Sequence, residues 1–272
     1  MAPAASVIVR AKNEERLIGR TLESLRRQTV VPEVIVIDSG STDRTVAIAR
    51  ERCDRLIEIP PELFSYGFAL NLGARTASAP IHFALSAHCV AERPDWVERS
   101  LAHYERDDVA GTNGPWPRSE AEAPRILHQD IAHALENPHL GFSNHASSWR
   151  AAVWERFPFD ESLRYAEDKE WALRVLEAGW IIVSDPALRV DMSHVWRSGY
   201  AELYRRQKRA AQELRRFTSA EYTLRDLASE WWARGPGERR SRPRRLLNPL
   251  RLAGLTGKYH GYHWPRRAPP LR

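Results

Sequence analysis

The chain has 272 residues, of which 43% are hydrophobic and 28% charged, as in a soluble globular protein with room for a large core. Only two cysteines are present and no apolar run approaches about 20 residues, so we expect no disulfide framework, no membrane-spanning helix and no signal peptide, and a cytoplasmic protein. Residues 197–272 carry 19 Lys and Arg against 6 Asp and Glu (+13), whereas the remainder carries 22 against 29 (−7), which predicts one domain over 1–195 and an Arg-rich helical extension over 196–272.

The first two predicted strands both end in polar residues. An apolar strand over residues 6–11 runs into Lys12, Asn13 and Glu14, and a second strand over 34–37 runs into Asp38. Residues 14–29 between them place apolar side chains at helical spacing. Parallel strands joined by a helix open a crevice at their carboxyl ends, where ligands bind in open α/β sheets. This pair of segments is typical of an enzyme that uses a nucleotide.

The rest of the first domain continues the alternation of strands and helices. We predict helices from residue 42 and over 63–76, 94–107, 123–135 and 165–178, strands over 55–59, 81–85, 109–114, 180–183 and 188–191, and a polar loop over 138–148. Alternation of this kind predicts an α/β fold with a mostly parallel sheet that is flanked by helices.

In this order, the segments resemble the family 2 inverting glycosyltransferases of the GT-A fold, and most closely their bacterial rhamnosyltransferase-like branch. The resemblance covers roughly residues 5–195 and rests on residues 7–16, 36–44, 64–73, 85–89, 142–144, 154–155, 159–161 and 166–169. It implies a donor half over about 1–90 and an acceptor half over about 91–195.

The resemblance implies a donor site at the ends of the first strands. Arg10, Ala11 and Glu14 would line the base and ribose of a nucleotide sugar, Asp38 would accept a hydrogen bond from N3–H of the base, and Asn71 would lie near the diphosphate. A carboxylate is a strong acceptor for such an N–H group. A turn carboxylate remains the alternative for Asp38, and a hydrogen bond to the adjacent loop the alternative for Asn71.

The chain departs from the family after the fourth strand. Relatives usually have Asp-any-Asp there, whose carboxylates hold the ribose and a divalent metal, whereas this chain has Ser86, Ala87 and His88. Imidazole is acceptable to Mn²⁺, while Mg²⁺ prefers oxygen. We therefore predict Ser86 at the ribose and a divalent cation, Mn²⁺ or Mg²⁺, held by His88 and by His194. Direct contact of His88 with the phosphates, without metal, is the alternative.

The resemblance places the chemistry on the acidic pair Glu167 and Asp168. Inverting displacement at an anomeric carbon needs a base on the face opposite the leaving group. Asp168 would be that base and Glu167 would orient it, the alternative being two favourable charges in a first helical turn. Asn144, Trp116 and Trp149 are candidates for the acceptor side, with core packing as the alternative for both tryptophans. We assign His145 no role.

These observations predict a glycosyltransferase that uses a UDP-sugar such as UDP-GlcNAc, or secondly a dTDP-sugar, with a small molecule, a carrier-protein-bound intermediate or a cell-envelope glycan as acceptor. A nucleotidyltransferase and a non-catalytic nucleotide-sugar-binding module are the alternatives. The basic extension would bind an anionic membrane surface at the inner face or an acidic carrier protein, or pack under the catalytic domain. Nucleic acid is disfavoured because no reading motif is present.

Overall fold

The structure, a computed structural model, describes residues 2–114, 125–136, 142–192, 200–216, 223–225, 227–228 and 249–263. The chain divides into two compact units. The first comprises residues 1–115 and 125–194, and the second comprises residues 116–124 and 195–272.

The first unit is built on an eight-stranded sheet with the order β3-β2-β1-β4-β7-β5-β8-β6. Six strands point the same way, and β7 and β6 run antiparallel to their neighbours. The prediction of an α/β fold with a mostly parallel sheet is therefore confirmed. The strands are β1 (Ala5–Ala11), β2 (Glu33–Asp38), β3 (Arg55–Glu58), β4 (Ile81–Ser86), β5 (Val109–Asn113), β6 (Leu127–Gln129), β7 (Ala146–Arg150) and β8 (Ile181–Ser184).

Helices cover both faces of this sheet. They are α1 (Ile18–Arg26), α2 (Thr45–Arg50), α3 (Tyr66–Thr76), α4 (Trp96–Ala102), α5 (Ile131–Glu136), α6 (Ala151–Arg156) and α7 (Glu167–Glu177), with short 3₁₀ turns at Pro61–Leu63, His103–Glu105 and Pro186–Leu188. The α7 helix is followed by Gly179 with φ +88°, a left-handed conformation that glycine adopts without steric cost.

Two hydrophobic layers, one on each face, hold the sheet. One contains Leu22 and Leu25 of α1 with Trp96 of α4, and the other contains Leu70 of α3 with Trp171 of α7. All are at most 2% exposed, and burying each such side chain contributes about 1.5–3 kcal/mol before entropy costs. The strands β1, β2 and β4 are mostly apolar because both faces of the sheet are covered there.

Three local predictions are wrong. The predicted helix over 123–135 is, in its described part, the edge strand β6 followed by α5, since residues 127–129 pair with β8. The predicted loop over 138–148 contains the start of β7, whose Ser148 is buried and bonded to the hydroxyls of Ser100, Thr112 and Tyr104. Residues 188–191 form no strand beyond one isolated bridge between Val90 and Asp191.

The described part of the second unit is mainly a pair of helices, α8 (Tyr200–Leu214) and α9 (Pro249–His263), which pack on one another. Glycine allows the close approach: a Cβ on Gly257 would lie 2.4 Å from the carbonyl oxygen of Tyr204, and one on Gly261 would lie 2.4 Å from that of Lys208. Among the described residues, no helix combines the length and the apolar character that crossing a bilayer requires.

Candidate active site

Polar side chains gather at the edge of the sheet where β1, β2 and β4 end and β7 begins. Arg10 lies opposite Ser86 in the β1–β4 pair, and Ala11 lies opposite Asp38 in the β1–β2 pair. The backbone N–H of Ser86 donates to the carbonyl oxygen of His145, which extends the edge to β7. The predicted donor residues of three strands therefore lie along one edge.

The loops that follow β1 and β2 are bound to each other by side chains. Asn13 has a left-handed backbone (φ 54°), and its side-chain oxygen accepts from the N–H of Thr42 at 2.8 Å. Its own N–H donates to the hydroxyl of Ser41 at 2.8 Å, and the N–H of Glu14 donates to the hydroxyl of Thr45 at 2.7 Å. These hydrogen bonds hold the loops after β1 and β2 in one conformation, and a site that is ordered before its ligand binds loses less entropy on binding.

Asp38 is engaged in the turn that follows β2. Its carboxylate accepts from the N–H groups of Gly40 and Ser41 at 3.0 and 2.8 Å and from the Ser41 hydroxyl, and the residue is 1% exposed. The structure thus shows the turn role that the sequence left open. A base that contacted Asp38 would share Oδ2 with the Ser41 hydroxyl or displace it.

Glu14 and His88 form a pair next to the end of β4. Nδ1 of His88 lies 2.8 Å from Oε1 of Glu14, and both side chains are about a quarter to a third exposed. Carboxylate oxygen suits Mn²⁺, and imidazole suits later transition metals better, but here the two atoms are bonded to each other. The described residues contain no group of three or more His, Cys, Asp or Glu that could hold a metal ion. The other predicted ligand, His194, lies outside the described residues.

The acidic pair begins α7 directly after a strained residue. Ala166, which caps α7, has φ 63° and ψ 20°. A left-handed alanine costs about 1–2 kcal/mol and is retained where the surrounding structure requires it. Asp168 is half-buried, and its Oδ2 accepts from the N–H of Asn144 at 3.2 Å. Glu167 is 5% exposed and accepts from Nδ2 of Asn144 at 3.2 Å.

The two carboxyl groups differ in burial, and burial changes the pKa of one of them. Burial, and secondly the charge of Asp168, raise the pKa of Glu167 to about 7, although Arg10 and the Asn144 amide oppose the shift. A buried carboxyl group with a raised pKa beside a more exposed carboxylate is an arrangement common in active sites. Asp168 is the more exposed member of the pair.

Arg10 connects the donor residues to the acidic pair. Its guanidinium donates to the carbonyl oxygen of Asn144, and Nη1 lies 3.8 Å from Oε1 of Glu167. The same group lies over the ring of Tyr66 at 5.2 Å, and that ring is 6.3 Å from the ring of Tyr165. Neither tyrosine was predicted as a site residue, and both are half-buried.

His145 and Lys169 also reach this edge and were missed as site residues. Nδ1 of His145 lies 2.9 Å from the Ser143 hydroxyl, and burial with the charges of Lys169, Arg10 and His88 lowers the His145 pKa to about 3. The imidazole is therefore neutral at physiological pH. Lys169 follows the acidic pair directly in sequence, a signal that could have identified it.

Several predicted site residues are buried within the protein or lie outside the described residues. Asn71 is 2% exposed and bonded to the backbone of Phe159, to Glu161 and to Trp154, so its prediction as a diphosphate contact is wrong and the loop alternative is right. Trp149 is fully buried and pairs with His82 four residues before the end of β4, so it forms core and no acceptor wall. Ala87 is 1% exposed and donates its N–H to the carbonyl oxygen of Arg10. Trp116 lies outside the described residues.

Solved structures and a family model identify this architecture. A mannosyltransferase of Pyrobaculum calidifontis, solved with GDP-Man and Mn²⁺, superposes with a TM-score of 0.62 at 19% identity, covering 96% of this chain and 70% of its own. TarS 1-349 of S. aureus, solved with UDP-GlcNAc, gives 0.54 at 14% identity, covering 97% and 91%. The fold is thus that of the GT-A glycosyltransferases.

Residues 6–163 match the model for Glycosyl transferase family 2, and the chain belongs to that family, as its resemblance predicted.

Curated relatives fall in the same family. An uncharacterized glycosyltransferase of Haemophilus influenzae is 30% identical over 196 residues, covering 62% of this chain and 59% of its own. Validoxylamine A glucosyltransferase of Streptomyces hygroscopicus subsp. limoneus is 30% identical over 201 residues, covering 71% and 40%. The O-antigen chain rhamnosyltransferase RfbN of Salmonella typhimurium is 24% identical over 207 residues, covering 70% and 66%. The chain therefore spans less than two thirds of the length of the first two relatives.

Proposed function

We propose that the protein is a glycosyltransferase that moves a sugar from a nucleoside diphosphate sugar to an acceptor with inversion, and that Asp168 is the general base. The observation that carries the proposal is the position of Asp168: it is half-buried, fixed by the Asn144 N–H, and joined through Asn144 and Arg10 to the strand ends. Family membership and the sugar-transferring relatives support this reading.

The residues of the edge divide the reaction between them. The acceptor O–H or N–H gives its proton to the Asp168 carboxylate while its oxygen or nitrogen bonds to the anomeric carbon. The bond from that carbon to the diphosphate oxygen breaks, and its electron pair leaves with the nucleoside diphosphate. A positioned base contributes about 10²–10⁴-fold to such a step. Glu167, buried beneath Asp168, fixes the segment that carries Asn144.

The donor side is proposed as the edge at β1, β2 and β4. Arg10, Glu14 and Ser86 would contact the nucleotide, and Asp38 would accept from its base, which would share Oδ2 with Ser41 or displace it. We favour a UDP-sugar such as UDP-GlcNAc and place a dTDP-sugar second. A divalent cation would be held by His88 and Glu14, with His194 as a further candidate, and would neutralise charge on the departing diphosphate.

A thermal-shift screen of UDP-, dTDP- and GDP-sugars, each with Mn²⁺ and with EDTA, tests the donor proposal. A ligand that binds the folded state stabilises it by mass action, so the true donor should raise the melting temperature well above the others. Stabilisation of the same size in EDTA would remove the cation from the proposal. Absence of stabilisation by every nucleotide sugar would contradict the donor site.

Asp168→Asn tests the base. We expect nucleoside diphosphate release to fall about 10²–10⁴-fold while the donor identified by the screen still raises the melting temperature. Asp160→Asn is the matched control, because Asp160 also accepts from a backbone N–H, that of Ser162, but lies in an exposed turn. Near wild-type turnover in Asp168→Asn would refute the assignment. A wild-type protein that binds donor without turnover under any acceptor would be a binding module instead.

The acceptor is proposed as a class of molecule, and the partner of the second unit is proposed from the positive charge of that unit. The acceptor would be a small molecule, a carrier-protein-bound intermediate or a cell-envelope glycan, and the basic residues 196–272 would bind an anionic membrane surface or an acidic carrier protein. Pelleting with anionic vesicles at low and high salt separates a membrane partner from an acidic protein, because only the former sediments, and less so as salt screens the charges.

A further inference from the structure

Three successive residues at the start of α7 bind one short segment, residues 142–145. Glu167 and Asp168 accept from the side-chain and backbone N–H groups of Asn144, each at 3.2 Å. Lys169 donates from Nζ to the carbonyl oxygen of Phe142 at 2.6 Å. The ring of Phe142 packs on Trp171, one turn further along α7, with centroids 4.7 Å apart. The segment that precedes β7 is therefore held to the catalytic helix at both of its ends.

The Lys169 ammonium, which has no role in the proposed chemistry so far, lies close to the acidic pair. Burial lowers the pKa of Lys169, and the charges of Asp168 and Glu167 oppose that shift. Arg10 on β1 lies 3.8 Å from Glu167, and the charges of Lys169 and Arg10 both act on His145 in the segment before β7. A buried ammonium is costly unless it is compensated, and here a backbone carbonyl accepts from it and the charges of the acidic pair act on it.

We propose that Lys169 is a positioning residue for sugar transfer: its ammonium ties the Phe142 carbonyl to α7 and, with Arg10, supplies the two positive charges that balance Glu167 and Asp168. The inference rests on the proposed role of Asp168 as the base.

The charge matters because the two carboxyl groups are neighbours. Like charges close together favour retention of a proton by one of them, and an opposite charge nearby favours ionisation. A base that already carries a proton cannot accept one from the acceptor. Without the ammonium, the pair would hold a proton to higher pH, and at neutral pH a smaller fraction of the enzyme would have the fully ionised pair.

A carboxyl titration tests this without requiring turnover. The ¹³C carboxyl signals of Asp and Glu are followed against pH in the full-length protein, with those of the pair assigned from Asp168→Asn and Glu167→Gln. In Lys169→Met we expect the titration of the pair to move upward by about one pH unit or more. Lys169→Arg, which keeps the charge, should stay near wild type. Lys169→Gln is neutral but can still donate a hydrogen bond to Phe142, and its carboxyl titration should shift as in Lys169→Met. It replaces Lys169→Met in the experiment if that variant does not fold.

Arg174→Met is the matched control on the same helix. Arg174 also donates to a backbone carbonyl, that of Pro158, at 2.7 Å, and it pairs with Glu170 outside the acidic pair. Its loss should lower stability without moving the titration. An unchanged titration in Lys169→Met, or an equal shift in Arg174→Met, would overturn the inference.

Kinetics separate this inference from the proposed function. With the donor found in the screen, Lys169→Met should lose about 10-fold or more in kcat at neutral pH and recover as pH rises, while the donor KM changes less than about threefold. An equal loss at every pH would overturn the inference and leave the base intact. Full activity in Asp168→Asn would refute the base, whatever the Lys169 variants do.

Discussion

Individual polar residues differ in how far their partners can be known from sequence. Asn71 and Asp38 were both predicted to contact the donor, and both turn out to be fully or nearly fully bonded within the protein. An amide on a helix looks the same in sequence whether it faces a ligand or a neighbouring loop. The partners of Asn71 lie 83 to 90 residues further along the chain, and only the fold brings them together.

Asn71→Ala tests the structural role of this amide. Its replacement leaves the N–H groups of Trp154 and Phe159 without an acceptor, and buried unsatisfied groups of this kind cost about 1–3 kcal/mol each. We therefore expect the free energy of unfolding in urea to fall by about 2–4 kcal/mol. Donor affinity, measured at a temperature where the variant is folded, should stay close to wild type. Lost donor affinity with undiminished stability would restore the diphosphate contact.

At the scale of elements, the apolar strands were predictable and the polar ones were not. β1, β2 and β4 are apolar runs buried on both faces, which the sequence displays directly. β7 places Ser147 and Ser148 inside the sheet, where hydroxyl groups from β5, α4 and the following turn satisfy Ser148. The polar composition of β7 indicated a loop, because the sequence alone does not show that buried hydroxyl groups are available as hydrogen-bond partners. β6 was missed for a related reason, since its pairing with β8 outweighs its local preference.

The helix pair of the second unit gives a prediction at this scale. A Cβ on Gly257 would meet the carbonyl oxygen of Tyr204 at 2.4 Å, whereas one on Gly254 would lie 3.6 Å from Leu203, an ordinary contact. Alanine otherwise favours a helix over glycine by about 1 kcal/mol. Gly257→Ala should therefore weaken protection of α9 amides in hydrogen exchange, and Gly254→Ala should strengthen it slightly. Equal protection in the two variants would contradict the close packing of α8 and α9.

At the scale of the whole molecule, the sequence predicted the α/β architecture and the family, and both are confirmed. The fold brings Arg10, Glu14, Ser86, His88, Asn144 and the acidic pair together at one edge of the sheet, while their roles stay predictions. The sequence did not reveal the salt bridge and hydrogen bonds that join them, because those bonds depend on side-chain directions at the ends of separate strands and helices. Lys169, His145 and the two tyrosines entered only with the fold.

Acid stability offers a test of the buried charges in the whole molecule. Burial in the sheet lowers the pKa of His82 to about 4, from 6.5. Between these values the unfolded chain binds the extra proton, so the contribution of His82 is fully present above pH 6.5 and is lost as pH falls through 4. The carboxyl of Glu167 acts in the opposite sense, since its raised pKa favours the folded state as pH falls from about 7 toward 4.5.

His82→Gln isolates the first effect. The difference in unfolding free energy between wild type and this variant should move by about 2–3 kcal/mol in favour of the variant between pH 7 and pH 4. Urea unfolding at a series of pH values measures it. A difference that does not change with pH would mean that His82 is not held neutral in the folded protein.

A crystal structure of the Asp168→Asn variant with the intact nucleotide sugar that stabilises the protein most would show whether position 168 faces the reacting carbon of the donor. We predict that the nucleotide lies along the ends of β1, β2 and β4 beside Arg10, and that the side chain at position 168 faces the anomeric carbon on the side opposite the diphosphate. A sugar that turns away from the start of α7, or a nucleotide bound at another surface, would contradict the account.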